Sequence, residues 1–416
     1  MISVAQALEQ ILATITPLGP ERVSLLDALG RVAAEDIHAH RAIPPRDNSA
    51  MDGYALRWQD TQGATPESPV VLDVVEDIPA GKVPEKTVVA GTAARIMTGA
   101  PIPDGADAVM KMEETAKDGQ KVRIFAAAAA GMDIRRAGED VQPGERVVGK
   151  GEVLTPSRIG ILASVGRAFV EVHQRPVVAV LATGDELVEI DEAFLAEGKI
   201  VSSNSYSLAA QVLDCGASPL QIGIARDTRE DLITKFKAAR RADIILSSGG
   251  VSVGDYDLVK DIMKEVGNRM QFWRVAMRPG KPLAFGALEG VPLFGLPGNP
   301  VSSMVSFEQF VRPALLKMMG HRNLFRRIIR ARLGEDIRKN AGARNFLRAR
   351  VEFRDGRYHV VTTGEQGSGI LKSMVLANGL IVLPEAVTHA RTGDEVMVQL
   401  IDGSLERMES PEYLKD

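Results

Sequence analysis

The chain has 416 residues, too many for one ordinary hydrophobic core, so several domains are expected. Apolar residues make up 45% of it and charged residues 25%, with no low-complexity tract, which excludes a largely disordered protein. A formal net charge of −4 excludes a broad nucleic-acid-binding surface, which needs clustered Lys and Arg, so any anion site must be local.

The single cysteine, Cys215, can form neither an intrachain disulfide nor a thiolate metal cage, and its helical surroundings mark it as core. The first residues lack the basic segment and long apolar run of a secretion signal. No apolar stretch is long enough to span a bilayer, so the expectation is a reducing cytoplasm and no membrane partner.

In chain order, Ala5, Leu8, Ile11, Leu12 and Ile15 recur at helical spacing until Pro17 and Gly19-Pro20 stop the pattern. A second short helix is expected over residues 26–33. From Arg41 the character changes, and strand-like runs at 70–75 and 93–97 alternate with Gly and Pro turns, which reads as a β-rich insert. Thr155 and Pro156 then supply a cap and a first helical position for a helix expected to rejoin the N-terminal pair. Between residues 175 and 320, strands at 177–181, 220–224 and 242–246 alternate with helices at 207–213, 229–240 and 256–266, and Thr228 with Asp231 supplies an N-terminal cap. Continuous apolar strands of this kind predict a doubly wound α/β domain with a parallel sheet covered on both faces. After Gly320 the helical patterns stop, and runs at 346–351, 357–361 and 379–384 predict a compact, barrel-like C-terminal β domain. The expected division is 1–40 with 142–174 as a discontinuous helical domain, 41–141 as the β insert, 175–321 as the α/β domain and 322–416 as the C-terminal β domain.

Open α/β sheets bind ligands beyond the carboxyl ends of their strands. The loops there are rich in chemistry: Thr183-Gly-Asp-Glu-Leu, Ser247-Ser-Gly-Gly-Val-Ser-Val-Gly-Asp-Tyr-Asp and Leu296-Pro-Gly-Asn-Pro-Val-Ser-Ser. Gly249, Gly250 and Gly254 let backbone N–H groups approach an anion, while Ser248, Ser252, Asn299 and Ser302 add side-chain donors, the pattern of a phosphate-bearing ligand. Tight strand-to-helix turns would use the same residues, but three such loops in one domain favour a site. Asp185, Glu186, Asp227, Asp255 and Asp257 fall at or past strand ends, where Mg²⁺ can bridge carboxylate and phosphate oxygens. Helix capping also suits Asp227 and Asp255, which leaves Asp185 and Asp257 as the better metal ligands on this reading. Arg274, Arg278 and Lys281 lie within eight positions. A strand would put 274 and 278 on one face and a Pro-Gly turn would return Lys281 towards them, a cluster better explained by an anionic ligand than by chance. No His-x-x-x-His pair, Gly-x-Ser-x-Gly elbow or P-loop points to other chemistry.

Seven segments in register resemble the molybdopterin molybdenumtransferase family, known as MoeA in bacteria and as the gephyrin E domain in animals. They are Asn48-Ser-Ala-Met-Asp-Gly-Tyr-Ala, Met97-Thr-Gly-Ala-Pro-Ile-Pro, Ala137-Gly-Glu-Asp, Thr183-Gly-Asp-Glu-Leu, Ser248-Gly-Gly-Val-Ser-Val-Gly-Asp-Tyr-Asp, Pro279-Gly-Lys-Pro and Leu296-Pro-Gly-Asn-Pro-Val-Ser. The resemblance implies four domains, a homodimer with a site shared between the α/β domain of one subunit and the insert of the other, and no nucleic-acid partner. It implies molybdenum insertion: adenylylated molybdopterin and molybdate give molybdenum cofactor and AMP with a divalent metal, Mg²⁺. Other cofactor-biosynthesis proteins, apoproteins or chaperones would be partners. By motif, Asp52, Thr98 and Asp140 fall on the insert side of the catalytic site, with Glu186 and Lys281 on the α/β side. Asp185, Asp227 and Asp257 are the implied metal ligands. Thr183 and Arg278 join the substrate-binding set, with Pro297 and Pro300 near the molybdate and Arg348 and Ser373 as C-terminal matches. Arg278 stands where Lys is expected in many relatives, which keeps the charge and changes the donor geometry. A molybdopterin adenylyltransferase and a non-catalytic scaffold of the gephyrin kind remain alternatives. The long insert and the C-terminal domain count against the first, and the intact Asp and Lys positions against the second.

Overall fold

The computed structural model describes residues 1–192, 197–249 and 268–407. The chain divides into two compact units, Met1–Glu21 with His173–Asp416, and Arg22–Val172.

The larger unit begins with the helix Val4–Thr14. Ser3 and Gln6 form a reciprocal capping box, with Ser3 Oγ accepting from Gln6 N at 3.1 Å and Gln6 Oε1 accepting from Ser3 N at 2.9 Å. Its buried face, Val4, Ala7 and Ile11, packs into the α/β core with Val178, Val180, Leu246 and Phe294. The first helix is therefore part of the α/β core, which the helical spacing alone does not reveal.

The central sheet has six strands in the order Ser218–Ala225, Val177–Thr183, Ile244–Ser248, Val291–Leu296, Pro282–Leu288, Asn268–Arg274. The first four pair in parallel and the last two are joined by antiparallel pairings, with Pro282–Leu288 the one reversed strand of the six, so the sheet is mixed rather than all-parallel. The reversal is a two-residue hairpin at Glu289-Gly290, both with positive φ (48° and 92°), a turn whose twist matches the strands it joins. Alternate side chains serve opposite faces: Val178 and Val180 face the core that holds the first helix, while Ala179 and Leu181 meet Leu232 and Phe236 of the helix Arg229–Ala239. The apolar runs are continuous because both faces are covered. Register aligns Ala182 with Ser248, Ser248 with Leu296 and Thr183 with Ala225, so four strand ends lie side by side at one edge.

The C-terminal strands Arg344–Arg354, Arg357–Thr362, Ile328–Leu333, Glu395–Leu400 and Gly379–Leu383 pair in that order. The last pairs back to the first, closing a five-stranded barrel around Ala331, Leu347, Val351, Ile381 and Val398. A short helix, Lys372–Val375, interrupts an otherwise β region where no helix was expected.

The smaller unit is built on a six-stranded sheet in the order Ala108–Lys111, Gly53–Leu56, Thr92–Ile96, Val70–Ile78, Lys121–Ile124, Thr115–Asp118, with apolar clusters on both faces. Its helix Pro156–Ser164 starts as expected, with Thr155 accepting from Arg158 N and proline in the first turn. Residues 26–33 are not helical. Gly30 is left-handed (φ 75°) and donates to Leu154 O, while Arg31 O accepts from Leu154 N, so pairing with a distant segment overrides local helical spacing.

Candidate active site

In the smaller unit, three loops named from the sequence meet at one corner of the sheet. Asp52 Oδ1 accepts from both the backbone N–H and the hydroxyl of Thr98, each at 2.7 Å. The Thr98 N–H, followed by its hydroxyl, holds the Asp52 carboxyl below the usual carboxylate range although it is exposed. Beneath them Ser49 N donates to Ala100 O and Gly99 N to Ser49 O, while Gly53 packs so closely on Met110 O that no Cβ fits. Asp47 accepts from Arg136 Nη1 at 2.6 Å and from Ala137 N at 2.8 Å. Asp140, exposed at the end of that turn, is tied through its N–H to Ile43 O at 3.0 Å. The loops that carry Asp52, Thr98 and Asp140 are thus linked by backbone.

In the larger unit the aligned strand ends bring three further loops together. Thr183 and Ser248 are each 3% exposed. Gly249 has φ 90°, and a Cβ there would lie 2.6 Å from Thr183 O, so only glycine lets the two loops approach this closely. Asn204, at the start of the helix Ser203–Asp214, fastens the third loop, since its Nδ2 donates to Ser248 Oγ at 2.7 Å and to Gly298 O at 2.8 Å. Its Oδ1 and the Thr183 hydroxyl are buried without a partner among the described residues. Sequence reasoning missed Asn204. The signal available was an asparagine in the first turn of a helix, within the small polar run Ser202-Ser-Asn-Ser.

Asp185 and Asp227 are brought together reciprocally: Asp227 N donates to Asp185 Oδ1 at 3.1 Å, and Asp185 N to Asp227 Oδ2 at 3.4 Å. The helix cap nearby is Thr228, whose hydroxyl accepts from Asp231 N, so Asp227 is not spent as the cap. Glu186 is exposed and folds back over Gly184. Among the described residues no three carboxylate, histidine or cysteine side chains cluster as a metal-binding set. Gly250, Ser252, Gly254 and Asp257 lie outside the described residues, as does the helix expected at 256–266.

Arg278, Lys281, Asn299 and Ser302 line one pocket of about 580 Å³ with Gln366 and Ser368. Arg278 and Lys281 are exposed, and neither has a carboxylate partner among the described residues. Asn299 precedes the helix Pro300–Ser306 without capping it, which leaves its amide for other contacts, and Pro297 is buried behind it. Arg274 does not share a strand face with Arg278. The strand ends at Arg274, Val275 bridges to Ile2, and Met277–Arg278 pairs instead with the barrel strand at Arg344 and Asn345. Backbone pairing with a later segment breaks the expected strand, and Arg274 lines no part of this pocket.

Arg348 is fully buried. Its Nε donates to Ser373 Oγ and its Nη2 to Gly367 O, both at 3.0 Å, and no carboxylate joins it among the described residues. Burial pushes its pKa down to about 10. It lines an adjoining pocket of about 320 Å³ that shares Arg278, Pro279 and Gln366 with the first. Gln366, whose side chain bonds to the N–H and carbonyl of Arg348, carried no signal in sequence.

Three family profiles match the chain in order. The MoeA N-terminal region (domain I and II) matches residues 2–166, a probable molybdopterin binding domain 179–317, and the MoeA C-terminal region (domain IV) 330–401. The class is therefore a molybdopterin-binding type of α/β domain set between the two flanking regions of MoeA. The chain is similar to molybdopterin molybdenumtransferase 2 of Mycobacterium tuberculosis, 41% identical over 91% of this chain and 94% of that one. It is also similar to the molybdopterin molybdenumtransferase of Staphylococcus aureus, 36% identical over 96% of each. A crystal structure of the molybdopterin biosynthesis MoeA protein from Pyrococcus horikoshii matches with a TM-score of 0.81 at 33% identity, covering 96% of this chain and 100% of that one. The chain belongs to the MoeA family of molybdopterin molybdenumtransferases and is a transferase of molybdenum cofactor synthesis.

Proposed function

We propose that the chain inserts molybdenum into adenylylated molybdopterin, taking molybdate and releasing AMP. The observation that carries this reading is the pair of adjoining pockets holding Arg278, Lys281 and the buried Arg348, none of them ion-paired with a described carboxylate. Glu335 and Asp336 also line the smaller pocket but are bonded to Thr362 N and to Thr392 and His389, and Arg338 and Lys339 beside them keep the lining net cationic. Such a charge balance suits an oxyanion, and the Arg348 guanidinium, held by Ser373 and Gly367 before binding, loses little on reorganising.

In this mechanism Arg278, Lys281 and Arg348 hold molybdate, and Ser373 keeps the Arg348 guanidinium oriented through its 3.0 Å bond. Asn299 and Ser302 orient the ligand from the other wall. Thr183, Ser248, Gly249, Gly250, Ser252 and Gly254 bind the pterin phosphate through hydroxyl and backbone donors, with Pro297 and Pro300 stiffening the adjacent loop. Asp185 and Asp227, with Asp257, would hold Mg²⁺. Each of the first two commits one oxygen to the other's N–H, and a carboxylate has two, a donor set compatible with a hydrated ion that takes few protein ligands. Bound there, Mg²⁺ would neutralise charge on the pyrophosphate link. Asp52, Thr98, Asp140 and Glu186 complete the catalytic set. Asp52, Thr98 and Asp140 act from the partner subunit of a homodimer, and the reaction proceeds in the cytoplasm.

The test is AMP release from purified adenylylated molybdopterin with and without molybdate. Molybdate-dependent release is expected. AMP release that ignores molybdate, or ATP consumption in its place, would overturn the reading.

A further inference from the structure

One helical run in the larger unit ties the two halves of the anion pocket together. Pro300–Ser306 passes through a π-turn, Phe307–Val311, into Arg312–Met318, with Arg312 N donating to Phe307 O five positions back. The α/β domain supplies Arg278, Lys281, Asn299 and Ser302 to the larger pocket, and a barrel loop supplies Gln366 and Ser368. At the start of the run Val301 N donates to Ser368 O at 3.1 Å, so the wall that carries Ser302 is bonded to the barrel wall. At the π-turn two consecutive residues reach the barrel again. Glu308, 8% exposed, accepts from Arg326 Nε at 2.9 Å, two positions ahead of the strand Ile328–Leu333. Gln309 Nε2 donates at 2.7 Å to Oε1 of the buried Gln399, in the strand Glu395–Leu400. A turn closed by i→i+5 bonds winds more slowly than an α-helix, which lets neighbouring side chains serve one partner surface.

Stability alone is a poor reason for this arrangement. Arg326 Nη2 also donates to Asp214 Oδ2 at 3.2 Å, and Arg312 Nε lies 3.5 Å from Glu308 Oε1, so the π-turn anchors a network of four charges. Desolvation offsets much of the attraction inside such a network, and apolar side chains of similar volume would stabilise as well without fixing an angle. Beside the π-turn, apolar packing leaves that angle open. A cavity of about 400 Å³ lies between Met304 and Phe307 on one side and Leu380 and Ile401 of the barrel on the other, among the described residues.

We infer that Glu308 and Gln309 are positioning residues for the reaction proposed above, on whose reading of the pocket this rests. From the π-turn they set the angle of the barrel on the α/β domain, and so the place of Arg348 and Gln366 relative to Arg278 and Lys281. Neither residue lines the anion pockets. Their effect reaches the ligand through the barrel, where a displacement of about 1 Å is enough to cost a large part of binding or rate.

The experiment reads barrel position and anion use separately. Cys215 is the only cysteine, so a Cys215→Ser chain serves as parent, with spin labels at Lys237→Cys and Arg357→Cys, both exposed and one on each domain. Glu308→Gln keeps the size and removes the charge, and Gln309→Leu keeps the bulk and removes the donor. Glu308→Gln should shift or broaden the label distance and raise the molybdate concentration for half-maximal AMP release about tenfold, with turnover at saturating molybdate changing about twofold at most. Gln309→Leu should move both readouts the same way by less, and carries the test if Glu308→Gln does not fold. Loss of folded protein alone would lower turnover and leave the half-saturating concentration where it was. A folded variant with the parent's label distance and molybdate requirement overturns the inference. So does a shifted distance with an unchanged requirement, or a raised requirement with an unshifted distance. AMP release in the parent that ignores molybdate overturns the proposed reaction instead, and calorimetric molybdate binding, set beside the label distance, then decides the role of the π-turn. A parent that binds no molybdate overturns both.

Discussion

Lys281 lines the anion pocket without a carboxylate partner among the described residues, so removing it leaves no buried acid unpaired and the loss falls on the ligand. Charge-assisted contacts contribute about 1.5–3 kcal/mol, so Lys281→Ala should raise the molybdate concentration for half-maximal AMP release by roughly tenfold or more, with pterin binding changing less. Wild-type molybdate dependence in that variant would remove Lys281 from the site. Asp52 has a depressed pKa, so its bonds to Thr98 favour the charged form. Their contribution is fully present above the unfolded-state value, about 3.9, and is lost as pH falls through the lower folded value. Thr98→Val keeps the backbone donor and deletes the hydroxyl. The Asp52 carboxyl, followed by NMR titration, should then protonate at higher pH than in the parent, and the acid limb of the activity profile should move up with it. An unmoved titration would show that the hydroxyl does not tune Asp52.

At the scale of elements, legibility follows the range of the forces involved. The helices behind Thr155 and Thr228 could be read because a cap and a first-turn proline are local, and the central strands because both sheet faces are covered. Residues 26–33 and the expected strand through Arg278 could not, because each gives its backbone bonds to a segment over a hundred or several dozen positions away. Asn204 and Gln366 were hidden for the same reason, since their partners belong to other loops. Gly249 could be read as a close-approach glycine, and the 2.6 Å to Thr183 O gives that reading a test. Gly249→Ala should cost about 1–3 kcal/mol in urea unfolding and reduce turnover beyond what the folded fraction explains. Gly290→Ala, strained by a similar φ but facing open space at the hairpin, should lose stability and keep turnover per folded molecule. Equal turnover losses in the two variants would mean that the strand-end loops have no special part.

For the whole molecule, the proposed sharing of a site across a two-fold dimer has a countable outcome. Asp52→Ala and Asp257→Ala chains should each be inactive, yet when co-expressed they form mixed dimers with one doubly damaged site and one intact site. Random pairing makes about half the dimers mixed, so about a quarter of wild-type AMP release should return. Background turnover in a verified mixed dimer would place the site within one chain. The buried Arg348 carries a consequence of a different kind. The guanidinium gives its side-chain bonds only to the neutral oxygens of Ser373 and Gly367 and is ion-paired with no described carboxylate, so in the empty protein its buried charge lacks a direct partner. A doubly charged oxyanion bound beside it would supply the missing counter-charge, and whatever binds only the folded state shifts the folding equilibrium by mass action. Molybdate alone, without pterin, should therefore raise the melting temperature in proportion to the logarithm of its concentration, and Arg348→Met should flatten that dependence. On this account the substrate also acts as a structural ion, and the enzyme's resistance to heat tracks the supply of the metal it handles.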